Sequence, residues 1–326
     1  MKFAIIGHLL PGQDPSRIPI GWKKDNGFII TPELDFVGTK GFGISILLSP
    51  KQMMQLPQNV VRDRILNACV FAQNKLDADV VQLGGLTTSV TSGGVWVSEQ
   101  KEFKGYVNHG DSYTAAVTCQ VVQKALMILK RNPTDQILSI VGAYGVIGEA
   151  ISKILVPQFT HSILIGRRED KLRELEEKLT GDYETTIDLK TKDADIIITV
   201  TSHPTALLNS EHLKKHAIII DVSQPPNLTY NVCMQRPDVV RVDGGYVDSP
   251  TVSNAPLMPP GKIFACIAEV IMQAMENERK NHVGSIDLNH LRNTEKWGEK
   301  YGFTFNMLTN FGKMINAKRR GFENDE

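Results

Sequence analysis

Between Gln136 and Val242 the chain repeats one pattern: a short continuously apolar run, a turn, then an amphipathic stretch of helical period. Runs such as IIITV and AIIIDV are apolar at every position rather than at alternate ones. Strands of that kind are covered on both faces, as in a parallel sheet with crossover helices. Strands are expected at Gln136–Val141, Ser162–Ile165, Asp195–Val200, Ala217–Val222 and Val239–Val242. Helices are expected at Val146–Leu155, stopped by Pro157, at Glu169–Leu179, and briefly at Ser210–His216. This is a doubly wound, Rossmann-type α/β sheet.

The flanks differ. Residues 1–112 read as a smaller α/β N-terminal domain suited to substrate, with strands at Met1–Ile6, Gly43–Leu48 and Asp79–Leu83. A helix at Asn59–Leu76 presents Val61, Ile65, Ala68, Ala72 and Leu76 on one face. Gly84-Gly85 then leads into a polar loop, Thr87-Thr88-Ser89. Asp111 or Ser112 caps a helix to about Lys130, which opens a dinucleotide-binding domain over residues 113–278. Within it, Pro259-Pro260-Gly261 precedes an apolar helix from Lys262 to about Met275. Residues 279–326 read as a helical C-terminal tail, with helices at Asp287–Lys300 and Phe305–Ala317.

Thirty-six Lys and Arg balance 36 Asp and Glu, which leaves no broad electrostatic attraction for nucleic acid or anionic lipid. No apolar run reaches the length of a transmembrane helix, so any membrane contact would be peripheral. Cys69, Cys119, Cys233 and Cys266 form no C-x-x-C pair, the usage of a reducing cytoplasm.

The strongest chemical signal is Gly142-Ala-Tyr144-Gly145-Val146-Ile147-Gly148, set between an expected strand and an expected helix. Gly142 allows the tight turn, Gly145 the approach of backbone to a pyrophosphate, and Gly148 close packing of helix on sheet. Tyr144 is bulkier than the small residue usual there. The next strand ends in Gly166-Arg167-Arg168, where a site for an unphosphorylated ribose carries Asp or Glu. Two guanidiniums suit a 2′-phosphate, so the expected cofactor is NADPH; the alternative is a solvated helix start. Thr201-Ser202 and Ser223 follow later strands, where they either line the nicotinamide side or form ordinary turns.

Cys266, in FACIAE, lies in the first turns of its helix, where the dipole favours thiolate. A thiolate there can attack a thioester carbonyl and hold the acyl group. A free cysteine in an apolar helix is more often a small buried hydrophobe. Cys69 and Cys119 sit inside amphipathic helices and read as core; Cys233 sits in a loop. His109 and His8 are candidate acids or bases, with a surface role the commoner reading for His109. No dedicated metal site is expected among the eight histidines.

The succession IIGHLL, RILNACVFAQ, LGGLTTS, VGAYGVIGEAI, DVSQPPN, DGGYV and IFACIAEVIM resembles the cyanobacterial-type long-chain fatty acyl-(acyl-carrier-protein) reductases, from residue 1 to about 277. The chain departs from that pattern between Val247 and Lys262, where DSPTVSNAPLMPPG is shorter and richer in proline. The resemblance implies NADPH-dependent reduction of a fatty acyl thioester, on acyl-carrier protein or CoA, to the free aldehyde. It places the nucleophile on Cys266 and the cofactor motif on Gly142, Gly145 and Gly148. Thr87, Thr88, Ser89 or Ser223 are candidates to hold the oxyanion. The alternatives are a shikimate- or amino-acid-dehydrogenase-like oxidoreductase and a non-catalytic NADP(H) sensor. Against the first, the N-terminal stretch lacks an N-x-T-x-P-x-K-type segment.

Overall fold

The computed structural model describes residues 1–9, 14, 16–36, 38–203, 205–250, 259 and 261–315. Pro204, Pro260 and most of the proline-rich stretch before Lys262 lie outside the described residues. The chain divides into two compact units, one of Met1–Tyr113 with Ser249–Phe303, the other of Thr114–Asp248 with the segment from Thr304.

The first unit is built on β1 (Phe3–His8), β2 (Lys23–Asp25), β3 (Phe28–Ile30), β4 (Leu34–Phe36), β5 (Thr39–Ile46), β6 (Val80–Leu83) and β7 (Tyr106–Asn108). They form one sheet in the order β2-β3-β5-β1-β6-β7, with β4 also on β5. The strands β5, β1, β6 and β7 run parallel, and β2, β3 and β4 pair antiparallel on the β5 side. Side chains alternate across β1. Ala4 and Ile6 enter a core with Val61, Ile65, Ala68, Cys69 and Ala72 of the helix Gln58–Leu76. Phe3 instead meets Phe36, which meets Phe303. Each fully buried Ile or Leu in such a core contributes about 1.5–3 kcal/mol. The helix Ala265–Glu276 packs on β1, β5 and β6. Its sequence position places it with the nucleotide-binding stretch, but it lies in the first unit.

Three local expectations change. Thr87-Thr88-Ser89 is not a loop but part of a short helix, Leu86–Val90. Lys262–Phe264 is a strand, so the Cys266 helix starts at Ala265 rather than Lys262. Cys233 lies in a short helix, Tyr230–Gln235, not in a loop.

The second unit holds β8 (Ile137–Val141), β9 (His161–Ile165), β10 (Tyr183–Thr186), β11 (Ile196–Thr199), β12 (Ile218–Asp221) and β13 (Val240–Asp243). All are parallel, in the order β10-β9-β8-β11-β12-β13. Counted from β8 this is 3-2-1-4-5-6, the doubly wound order, which reverses between β8 and β11. The Ile side chains of β11 and β12 are buried throughout. The stretch Ser210–His216 forms only a single 3-10 turn, Ser210–His212.

Phe305–Ala317 is not a helix over its described part. Thr309–Asn310 and Lys313–Met314 pair antiparallel, because Phe311 and Gly312 both adopt positive φ, which no right-handed helix accommodates. Residues 316 and 317 lie outside the described residues. The hairpin is fastened to buried charges. The Phe311 and Gly312 amides donate to Asp243 at 3.1 and 2.8 Å, and the Arg241 guanidinium lies 4.0 Å from the Phe311 ring centroid. Arg241 also bonds Asp221 at 3.1 Å and Asp243 at 2.7 Å.

Candidate functional site

The glycine loop leaves β8 where the sheet order reverses. Gly142 has φ 94°, and a Cβ there would come 2.7 Å from the Val200 carbonyl, so the turn beside β11 requires glycine. A Cβ on Gly148 would strike the Gly142 carbonyl, which brings the helix Val146–Leu155 close against the loop. That helix begins after Gly145 with no side-chain cap, which leaves its first amides to a ligand, the condition for anion binding at a helix start. The Tyr144 ring packs where a side chain on Gly166 would stand, which accounts for the bulky residue in the motif. Arg167 and Arg168 are exposed after β9, and Arg168 pairs with Asp170. The glycine loop and the helix start fit the pyrophosphate of a dinucleotide.

Thr201 and Ser223 tie two loops together. The Thr201 amide donates to Ser223 Oγ at 2.9 Å, and the Thr201 hydroxyl bonds Asn227 Oδ1 at 2.8 Å. Ser223 Oγ also bonds Asn227 Oδ1, at 3.2 Å. Ser202, between them in the chain, is exposed. Asp221, just before Ser223, accepts the amides of Asn227 and Leu228. Thr201, Ser223 and the loop to Asn227 are legible in the sequence; the residue it does not reveal is Asp221, which holds the Asn227 amide.

In the first unit, Cys266 is the second residue of its helix, after the N-cap Phe264, which supplies no side-chain cap. The position is the one expected, but the thiolate is not favoured. Burial, then the carboxylates of Asp111 and Glu269, push the thiol up to about 12. The dipole of a helix start contributes up to about 2 kcal/mol, too little to offset enclosure beside two acids. Burial and then Glu269 hold Asp111 well above the ordinary carboxylate range. For Glu269, burial pulls the same way but is overcome by the hydrogen bond and charge of His290 and by the Tyr113 amide, which lower it. The Tyr113 amide donates to Glu269 Oε2 at 2.7 Å, and His290 Nε2 lies 3.2 Å from Oε1.

His109 is buried rather than on the surface, because β7 delivers it beneath residue 282, whose carbonyl accepts its amide. Its Nδ1 accepts the Asp111 amide at 2.9 Å, so the neutral ring carries its proton on Nε2. Burial lowers its pKa to about 4. His8 is structural: Nδ1 donates to the Leu9 carbonyl at 2.9 Å, and Nε2 accepts the Leu86 amide at 3.3 Å. The Thr87 and Thr88 hydroxyls donate to the carbonyls of Gly84 and Leu83. Cys69 and Cys119 are buried, and the four cysteines form no disulfide. Among the described residues no helix is long and apolar enough to cross a membrane.

Residues 123–244 match the shikimate/quinate 5-dehydrogenase family. With the sheet order and glycine loop, that match makes the second unit an NAD(P)-binding domain of the dehydrogenase type. The chain is a distant relative of the long-chain acyl-[acyl-carrier-protein] reductase of Synechococcus elongatus, 28% identical over 234 residues, 67% of each chain. It is 26% identical over 317 residues to the aminotransferase PigE of a Serratia species, covering 91% of this chain and 37% of that protein. The chain thus spans well under half the length of the second relative. The malic enzyme of Entamoeba histolytica is similar over 83% of this chain and 57% of its own, at 13% identity and a TM-score of 0.46. The family match and the Synechococcus relative point to a nicotinamide-dependent oxidoreductase.

Proposed function

We propose that this chain reduces a fatty acyl thioester, carried on acyl-carrier protein or CoA, to the free aldehyde with NADPH, through an acyl intermediate on Cys266. The observation that carries the reading is the 28% identity with an acyl-[acyl-carrier-protein] reductase over 67% of the chain. The chemistry of the Cys266 neighbourhood supports it. Because the thiol is held protonated, attack needs a base, and Glu269, one helical turn on, is ionised. Glu269 takes the thiol proton as sulfur bonds to the thioester carbonyl carbon. The carrier C–S bond breaks, and the departing thiolate takes that proton. A bound reduced nicotinamide supplies hydride. The resulting hemithioacetal alkoxide on Cys266 collapses to aldehyde, and the released thiolate regains its proton from solvent by way of Asp111, whose carboxyl burial raises above its ordinary range. Gly142–Gly148 would hold the pyrophosphate, and Arg167 with Arg168 the 2′-phosphate.

The match over residues 123–244 favours a second reading, a dehydrogenase acting on a small carbonyl or imine, in which Cys266 is inert. Intact-mass spectrometry with long-chain acyl-CoA and acyl-carrier protein separates the two. A gain of one acyl group, absent in Cys266→Ala and lost as aldehyde when NADPH is added, is the expected result. No adduct on either carrier, with NADPH binding intact, removes the thioester mechanism and leaves the dehydrogenase or a cofactor-binding sensor.

A further inference from the structure

Beyond Cys266, the first unit gathers groups that the proposed reaction does not use. After the helix Ala265–Glu276 the chain turns at Asn277, which has positive φ, and then brings Glu278 and His282 beside His290 of the helix Leu288–Tyr301. One donor atom from each of the three lies within 4.8 Å of the others. The spacing is E-x-x-x-H followed eight residues later by a second histidine, which no familiar motif describes.

We propose that Glu278, His282 and His290 bind one divalent transition-metal ion of the zinc class. Two histidines and one glutamate are a donor set that zinc accepts, with a fourth position left open. The ligands of a tetrahedral zinc stand roughly 3.3 Å apart, so side-chain rotation has to bring the three donors to that spacing. His290 turns Nε2 toward Glu269 at 3.2 Å, and no partner stands at its Nδ1 among the described residues. A ligating histidine characteristically donates its other ring N–H to a carboxylate, which fixes its tautomer and orientation.

Charge argues the same way. Glu269 and Glu278 are two carboxylates set against the stacked rings of His282 and His290, whose centroids are 3.4 Å apart. A divalent ion bound there balances the two carboxylate charges. Access exists as well, since His109, His282, Asp287 and His290 line a small cavity of about 90 Å³. The ion would hold the segment from Glu278 to His290 and, through Glu269, the helix that carries Cys266.

The test uses the full chain without a histidine tag, stripped of metal and titrated with Co²⁺ or Zn²⁺ alone. One equivalent should bind and raise the melting temperature, and Co²⁺ should give the visible absorption of a tetrahedral ion. His282→Gln and Glu278→Gln should each weaken binding roughly a hundredfold, and Glu269→Gln roughly tenfold. His161→Gln, in the other unit, should leave binding unchanged. Circular dichroism shows that each variant is folded. No stoichiometric binding by the wild-type chain, or an unchanged cobalt spectrum in folded His282→Gln and Glu278→Gln, overturns the proposal. Because the readout needs neither thioester nor NADPH, it stands apart from the fate of the reductase reading.

Discussion

Gly110 lies so close to Cys266 that a Cβ on the glycine would come 2.5 Å from the Cβ and carbonyl oxygen of the cysteine. Gly110 also has φ 73°, so both its conformation and its space exclude a side chain. Gly110→Ala should therefore cost roughly 2–5 kcal/mol, from the left-handed backbone and the overpacking together. Urea unfolding of the full chain reads this directly, and a midpoint equal to wild type would show that the contact is not as tight as described.

Alkylation of Cys266 should be slow at neutral pH. With the thiol pushed up to about 12, its rate with iodoacetamide should climb about tenfold per pH unit with no plateau near 8. Glu269→Gln removes one of the two acids behind that shift and should move the rate profile to lower pH. A plateau at pH 7 to 8 in the wild-type chain would mean an activated thiolate already present in the free protein. The mass of the labelled peptide identifies the cysteine.

His109 should make the chain acid-sensitive. Its folded pKa of about 4 lies below the ordinary 6.5, so between those values the unfolded chain takes up a proton that the folded one refuses. Its contribution is complete above pH 6.5 and drains away as pH falls to about 4, a loss on the order of 3 kcal/mol. The difference between wild type and His109→Gln in urea unfolding from pH 7 to 4.5 isolates this group. Parallel pH curves for the two proteins would contradict it.

Arg167→Ala combined with Arg168→Ala should weaken NADPH binding roughly 10- to 100-fold, as expected for lost charge-assisted bonds, and leave NADH binding nearly unchanged. Nicotinamide fluorescence titration gives both constants. Equal losses for the two cofactors would place the arginines away from the 2′-phosphate.

The second unit was legible because its inner strands are unbroken apolar runs, and the glycine motif is local enough to read without a fold. The edge strand Tyr183–Thr186 was not, because YETT is half-exposed along its whole length and shows no apolar run. The C-terminal hairpin was hidden by the apolar spacing of Phe305, Leu308 and Phe311, which imitates a helix until Gly312 is given its turn. Cys266 could be picked out, but its protonation could not, since Asp111 reaches it from a distant part of the chain. His282 and His290 meet only through a turn and a second helix, so spacing rules passed over them.

Asp221, Arg241 and Asp243 place two negative charges and one positive charge inside the second unit, and the amides of Phe311 and Gly312 make up part of the difference. A nascent chain therefore has every strand of that sheet in hand long before its charges are quenched. Folding of this unit on the ribosome should wait for residue 312 to clear the exit tunnel, so that the last hairpin acts as a completion signal for a sheet made some seventy residues earlier.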